Sequence, residues 1–140
     1  MAISYCAEGT AKVPSFKKRE MNSWIKTVAD AHGKKIGEIA YIFCDDNHIL
    51  QINKEYLNHD FFTDIITFDY TEGSIISGDI FISLETVQSN AVQFNVSYEE
   101  ELNRVIIHGI LHLCGIEDKT PQARKDMEAN ENQALSLLKK

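Results

Sequence analysis

Strands interspersed with helices over 140 residues predict an α/β (α+β) fold, most simply a mixed sheet of about four strands with about five helices packed over it. Three observations carry this expectation. Strand-like runs such as IGEIAYIFCD alternate along the chain with runs whose apolar residues follow the helical period. Two of the strand-like runs, IITFDY and GDIFIS, are close enough to form a hairpin across TEGSIIS. The length suits one domain with a sizeable core and leaves little room for a second.

In chain order, ISYCAEG reads as a short strand. Pro14-Ser15 opens a helix to about Ala31, with Ser15 as N-cap and His32-Gly33 at its end. Phe16, Met21, Trp24, Ile25 and Val28 supply its apolar face. After IGEIAYIFCD, Asp45 or Asp46 caps a helix carrying Ile49, Leu50, Ile52 and Tyr56. LNHDFFTD mixes turn formers with polar residues and reads as a loop before the hairpin. Asp79, in the second hairpin strand, reads as a structural acid bonding backbone groups near a sheet edge. Leu84 to Phe94 forms the next helix, and Ser97 with Glu100 makes a capping box for a helix from Tyr98 to about Leu113. Thr120-Pro121 starts the last helix, which runs to about Leu138.

Composition narrows the function classes. With 44% hydrophobic and 25% charged residues the chain is ordinary for a soluble globular protein. No apolar run approaches the roughly 20 residues that span a bilayer, so no membrane partner is expected. MAISYCAEGT lacks the basic and apolar regions of a signal peptide, and Cys6, Cys44 and Cys114 are too few and scattered for a disulfide framework. A reducing cytoplasm is the expected location. The net charge of −7 argues against non-specific coating of nucleic acid. Residues 12–35, however, hold seven of the fourteen basic side chains against Glu20 and Asp30. Such a face suits a phosphate backbone, although a solvated helix surface explains the same charges more simply.

The chemistry concentrates in HGILHLCGIED, residues 108–118. Four residues of α-helix turn about 400°, so His108 and His112 stand one turn apart on one face and can aim at one ion. Gly115 suits the left-handed conformation that ends a helix and turns the chain back, which lets Asp118 reach the same ion from another side. Two histidines at this spacing also occur by chance at helix surfaces. Here the apolar surroundings, the glycine and the following acid favour a metal site at the C-terminal end of a central helix. Three protein ligands leave a coordination position open, which marks a catalytic site. One zinc ion is the expected cofactor, and the same donors suit nickel, iron or manganese. Cys114 lies about 200° round the helix from His112 and is expected in the core. His32 and His48 read as structural, and His59 sits in a loop where a histidine can line a site.

These residues carry a resemblance. HGILHLCGIED is similar to the motif of the YbeY family of bacterial rRNA maturation factors: His-Gly-x-Leu-His-Leu-x-Gly, then an aromatic residue, an acid and a third histidine. NKEYLNHDFFTDIITF resembles that family's Asn-x-x-Tyr block ending in Thr-Asp-Val-Leu-Ser-Phe, and SGDIFIS its Gly-Asp-Ile strand. Met127, Glu128 and Glu131 match its final helix, so the likeness spans about residues 41–135. It implies that residues 1–140 form a single metal-dependent endoribonuclease domain. It further implies action on single-stranded RNA, 16S rRNA in particular, in 3′-end maturation and ribosome quality control, with the ribosome or ribosomal proteins as partners. Asp118 stands where the family has its third histidine, and Leu57 where it has an arginine linked to activity.

Phosphodiester cleavage also needs proton transfer. Glu117, beside the last ligand, and Asp64, in the Thr-Asp turn, are the candidate catalytic acids, each with a plainer reading as a solvated or turn carboxylate. Two rival readings stay open. The ligand spacing also matches the zinc peptidase frame HExxHxxGxxH, but Gly109 occupies the position of that frame's general base. A non-catalytic ribosome-assembly factor with a structural metal, docking through its basic 12–35 face, is the other.

Overall fold

A computed structural model describes residues 2–57 and 63–138. The strands are β1 (Ala2–Ala7), β2 (Lys35–Cys44), β3 (Ile65–Asp69) and β4 (Ile75–Ser83). The helices are α1 (Lys18–Ala31), α2 (Asp46–Leu57), α3 (Leu84–Phe94), α4 (Tyr98–Leu113) and α5 (Pro121–Ser136). The sheet order is β1-β2-β4-β3, with β1–β2 and β2–β4 parallel and β3–β4 antiparallel. This is the expected mixed four-stranded sheet with five helices, and β3–β4 is the expected hairpin.

Alternation along the strands sends side chains to two faces. On one face Tyr41, Phe43, Ile76, Ile80 and Ile82 meet Trp24 and Ile25 of α1 and Ile106, Ile107 and Ile110 of α4 in the main core. On the other, Cys44, Ile66, Phe68 and Phe81 pack with Ile49 and Ile52 of α2 in a smaller cluster. Two polar groups buried with the main core are satisfied across elements. The Tyr41 hydroxyl donates to the Ile106 carbonyl at 2.8 Å, and the Trp24 indole N–H donates to the Ala134 carbonyl at 2.8 Å. The first fixes α4 to the sheet and the second ties α1 to α5. Both avoid the roughly 1–3 kcal/mol cost of an unpaired buried donor.

The caps at Ser97 and Thr120 agree with the sequence, whereas the one at Ser83 emerges only in the fold. Ser83, Ser97 and Thr120 accept from the backbone N–H groups of Thr86, Glu100 and Ala123, and Asp45 accepts from that of His48 before α2. Helix α1 differs, because it begins at Lys18 and Ser15 is not its cap; Lys17 holds that position with no side-chain bond. The Phe16 ring instead packs edge-on against Tyr5 at 5.1 Å and Phe43 at 6.2 Å. Burial of that ring against the sheet outweighs one capping hydrogen bond. Tyr56 is 64% exposed and only Ile49, Ile52 and Asn53 of α2 are buried, so its apolar face is narrower than expected. Asp79 lies on β4, beside the edge strand β3, and accepts from the Tyr70 hydroxyl at 3.3 Å.

Among the described residues all three cysteines are free, and no helix is long and apolar enough to cross a membrane. Burial pushes the Cys44 thiol up to about 12, while Cys6 is exposed. Brief alkylation of the folded protein, read by mass spectrometry, is therefore expected to label Cys6 and spare Cys44. Early labelling of Cys44 would contradict the packing of β2 against α2.

Candidate metal centre

Helix α4 is buried over most of its circumference and ends at the motif. Gly115 adopts φ +99°, a conformation that strains other residues. Its N–H donates to the His112 carbonyl at 3.0 Å, and that of Ile116 to the Leu111 carbonyl at 3.1 Å, so the chain folds back over the last turn. The reversal brings Asp118 to His108, with Oδ2 3.3 Å from Nε2. The rings of His108 and His112 lie nearly parallel, 6° apart in plane with centroids 6.5 Å apart.

Helix α5 supplies what the motif does not contain. Glu131 Oε2 lies 2.6 Å from His108 Nδ1, while Oε1 accepts from the Arg104 guanidinium at 2.9 Å. Arg104 also donates to Asn132 Oδ1 at 2.8 Å. A carboxylate can only accept, so it takes the Nδ1–H and leaves the lone pair of a neutral His108 on Nε2, facing Asp118. Burial works against the charged imidazole, but the hydrogen bond and charge of Glu131, with Asp118 and Asp64 behind, prevail and hold His108 above its ordinary value.

The donor chemistry and the nearest spacing fit a divalent ion. Two tetrahedral ligands at about 2.0–2.1 Å from zinc stand about 3.3 Å apart, which is the His108–Asp118 separation. His112 Nδ1 is buried with no hydrogen-bond partner among the described residues. Among those residues no three His, Cys, Asp or Glu side chains are gathered tightly enough to hold an ion.

His108, His112 and Asp118 line one cavity of about 410 Å³ together with Asp64, Glu101 and Arg104. Burial raises the Asp64 carboxyl, with only partial opposition from His108 and backbone N–H groups. Glu101, 5% exposed, has its carboxyl raised by burial and then by Asp64. Glu117 is exposed and lines a separate groove between the α4–α5 turn and α5, so the structure does not bring it into the cavity with His108, His112 and Asp118. Cys114 packs against the core as expected, and His48 pairs with Glu8 at 2.7 Å away from the cavity. His59 lies outside the described residues.

Glu101, Arg104 and Glu131 are the charged cavity residues that the motif left without a role. The spacing of Glu101, Arg104 and His108 on one helical face offered a signal for two of them. Because the folded state raises the Glu101 pKa, Glu101 favours folding below the ordinary carboxylate range and loses that contribution as pH rises through the raised value. Glu101→Gln is therefore expected to raise Tm at pH 8 and change it little at pH 4; a fall at pH 8 would show that the carboxylate is stabilising.

The family model Endoribonuclease YbeY matches residues 7–139. The chain belongs to the YbeY endoribonuclease family. YbeY relatives named Endoribonuclease YbeY include those of Bacteroides fragilis, 63% identical over 139 residues and 99% of both chains, and Porphyromonas gingivalis, 50% identical over 136 residues, 97% of this chain and 89% of the relative. The solution structure of TM1509 from Thermotoga maritima has a similar fold, with TM-score 0.67 and 23% identity over 98% of this chain and 89% of that one. Membership in YbeY leaves no support for the peptidase reading, and the packing agrees. A Cβ on Gly109 would stand 3.0 Å from Ile80 and 3.3 Å from Ile65, so this position abuts the sheet and a glutamate base has no room there.

Proposed function

We propose that this chain is a zinc-dependent, single-strand-specific endoribonuclease of the cytoplasm, acting in 16S rRNA 3′-end maturation and ribosome quality control. Its zinc ligands are His108, His112 and Asp118, and ribosomal proteins are its partners at the rRNA. Family membership supports the endoribonuclease activity. The observation that carries the metal assignment is the 3.3 Å approach of His108 Nε2 to Asp118, with Glu131 holding the opposite ring nitrogen.

Zinc supplies Lewis acidity toward a phosphoryl oxygen when bound. The remaining work falls to the chain. Glu131 keeps the His108 lone pair on Nε2, and Asp118 brings a carboxylate donor that lowers the net charge of the centre relative to three neutral imidazoles. Asp64 is the acid–base group in preference to Glu117, because it lines the cavity and burial favours its proton-carrying form. A carboxyl so held can give its proton to the leaving oxygen.

The test is incubation of zinc-loaded protein with single-stranded RNA beside a His112→Ala variant. Wild-type cleavage, reduced at least about a hundredfold in the variant together with its zinc content, is expected. No cleavage by zinc-containing wild type would favour the non-catalytic assembly factor, a reading to which Leu57, 41% exposed where the resemblance has an arginine, lends some weight.

A further inference from the structure

The cavity around His108 is lined by the carboxyl groups of Asp64, Glu101, Asp118 and Glu131, and its only lysine or arginine among the described residues is Arg104. An RNA strand brings a negative charge at every phosphate, so an acid-rich cavity needs a cation where that charge enters. From this juxtaposition we propose that Arg104 is a substrate-binding residue, its guanidinium gripping a phosphate of the RNA strand beside the metal ligands. The proposal deepens the nuclease reading and rests on it.

Three features suit Arg104 to the task. It lies one helical turn before His108, so a phosphate it holds is next to the ligands. Its side chain is 28% exposed, partly open at the cavity rather than sealed in the core. A guanidinium has five N–H donors in a planar fork. One goes to Glu131 and one to Asn132, and among the described residues the other three have no hydrogen-bond partner and are open to a ligand. Those two bonds also fix the fork: Glu131 on α5 holds one arm and Asn132, next in sequence, the other. A group so anchored loses little freedom when it binds, which is why arginine suits bidentate phosphate recognition.

Zinc-loaded full-length protein, with zinc content and circular dichroism recorded for each variant, provides the test. The affinity for a single-stranded oligoribonucleotide is measured by anisotropy over a range of salt concentrations, and cleavage is measured in parallel. R104Q is expected to weaken binding about tenfold. It should also reduce the slope of log affinity against log salt by about 0.7, the loss of one phosphate contact on a single strand, and raise KM more than it lowers kcat. R104K keeps a charge and is expected to keep the slope while losing several-fold in affinity, since lysine has no fork. Wild-type affinity, slope and KM in the variants that fold would overturn the proposal. So would RNA binding unchanged while zinc is lost, which would make Arg104 only a positioning residue for Glu131. Arg104-dependent binding without cleavage by the wild type would sink the nuclease reading and leave the clamp standing. Cleavage with wild-type KM in R104Q would do the reverse.

Discussion

Glu131→Gln is expected to lower zinc affinity by about ten- to a hundredfold, although the substitution replaces no proposed ligand and is nearly isosteric. The reason is donor counting. The wild-type carboxylate accepts at both oxygens, from His108 Nδ1 at 2.6 Å and from Arg104 at 2.9 Å. A glutamine has one acceptor and one amide donor. If its oxygen stays with Arg104, the amide N–H₂ faces Nδ1 and favours the tautomer with its proton on Nε2, pointing at Asp118 where a lone pair is needed. If it flips, the N–H₂ confronts the guanidinium. Competition with a chromophoric chelator measures the affinity, and the ¹⁵N shifts of the His108 ring report the tautomer without any metal. Unchanged affinity with an unchanged tautomer would remove Glu131 from the site's design.

The same substitution has a pH signature in chelated protein. His108 is held above its ordinary value in the fold chiefly by Glu131, against the opposing effect of burial. A raised pKa stabilises the fold fully below about pH 6.5, the unfolded value, and the contribution fades as pH rises through the folded value. The Tm gap between wild type and Glu131→Gln is therefore expected to be wider at pH 5 than at pH 8. A gap that widens toward pH 8 would contradict this account of His108.

Gly78→Ala is expected to destabilise the protein by about 3 kcal/mol or more, lowering Tm by on the order of 10 °C. Gly78 sits on β4 between Ile39 of β2 and Asp69 of β3. An added Cβ would lie 2.5 Å from the Phe68 carbonyl oxygen and 3.1 Å from the Leu113 side chain. The first contact is with sheet backbone, which cannot swing away as the tip of a flexible side chain can. The second displaces the residue next to His112, so relief of the clash moves the last turn of α4 and the proposed ligand on it. Thermal melts with and without zinc check both consequences. A Tm within a few degrees of wild type would mean that the β3 edge gives way easily and that this glycine is not required by close approach.

Much of the fold and the heart of the site were legible because they are local. The caps at Ser97 and Thr120 act within three residues, so α4 and α5 begin where the sequence places them. HGILHLCGIED is similarly self-contained: the one-turn spacing of His108 and His112 and the reversal at Gly115 are properties of a few consecutive residues. Even so, α1 escaped local reading, since Phe16 is held by rings on β1 and β2 that no short window contains.

The sequence by itself determined the strand–helix order, the helix starts set by caps, and a helix end carrying two histidines, a turn and an acid. Only the tertiary structure decided which other groups face them. Glu131 reaches His108 from 23 residues away and Arg104 from 27, and Asp64 enters from the start of β3, while Glu117, beside Asp118 in sequence, turns to a different groove. The physical reason is range. Caps and helical spacing are fixed by backbone geometry over a few residues, whereas the tautomer of His108 and the charge of its cavity depend on side chains that meet only when α5 and the sheet close around α4.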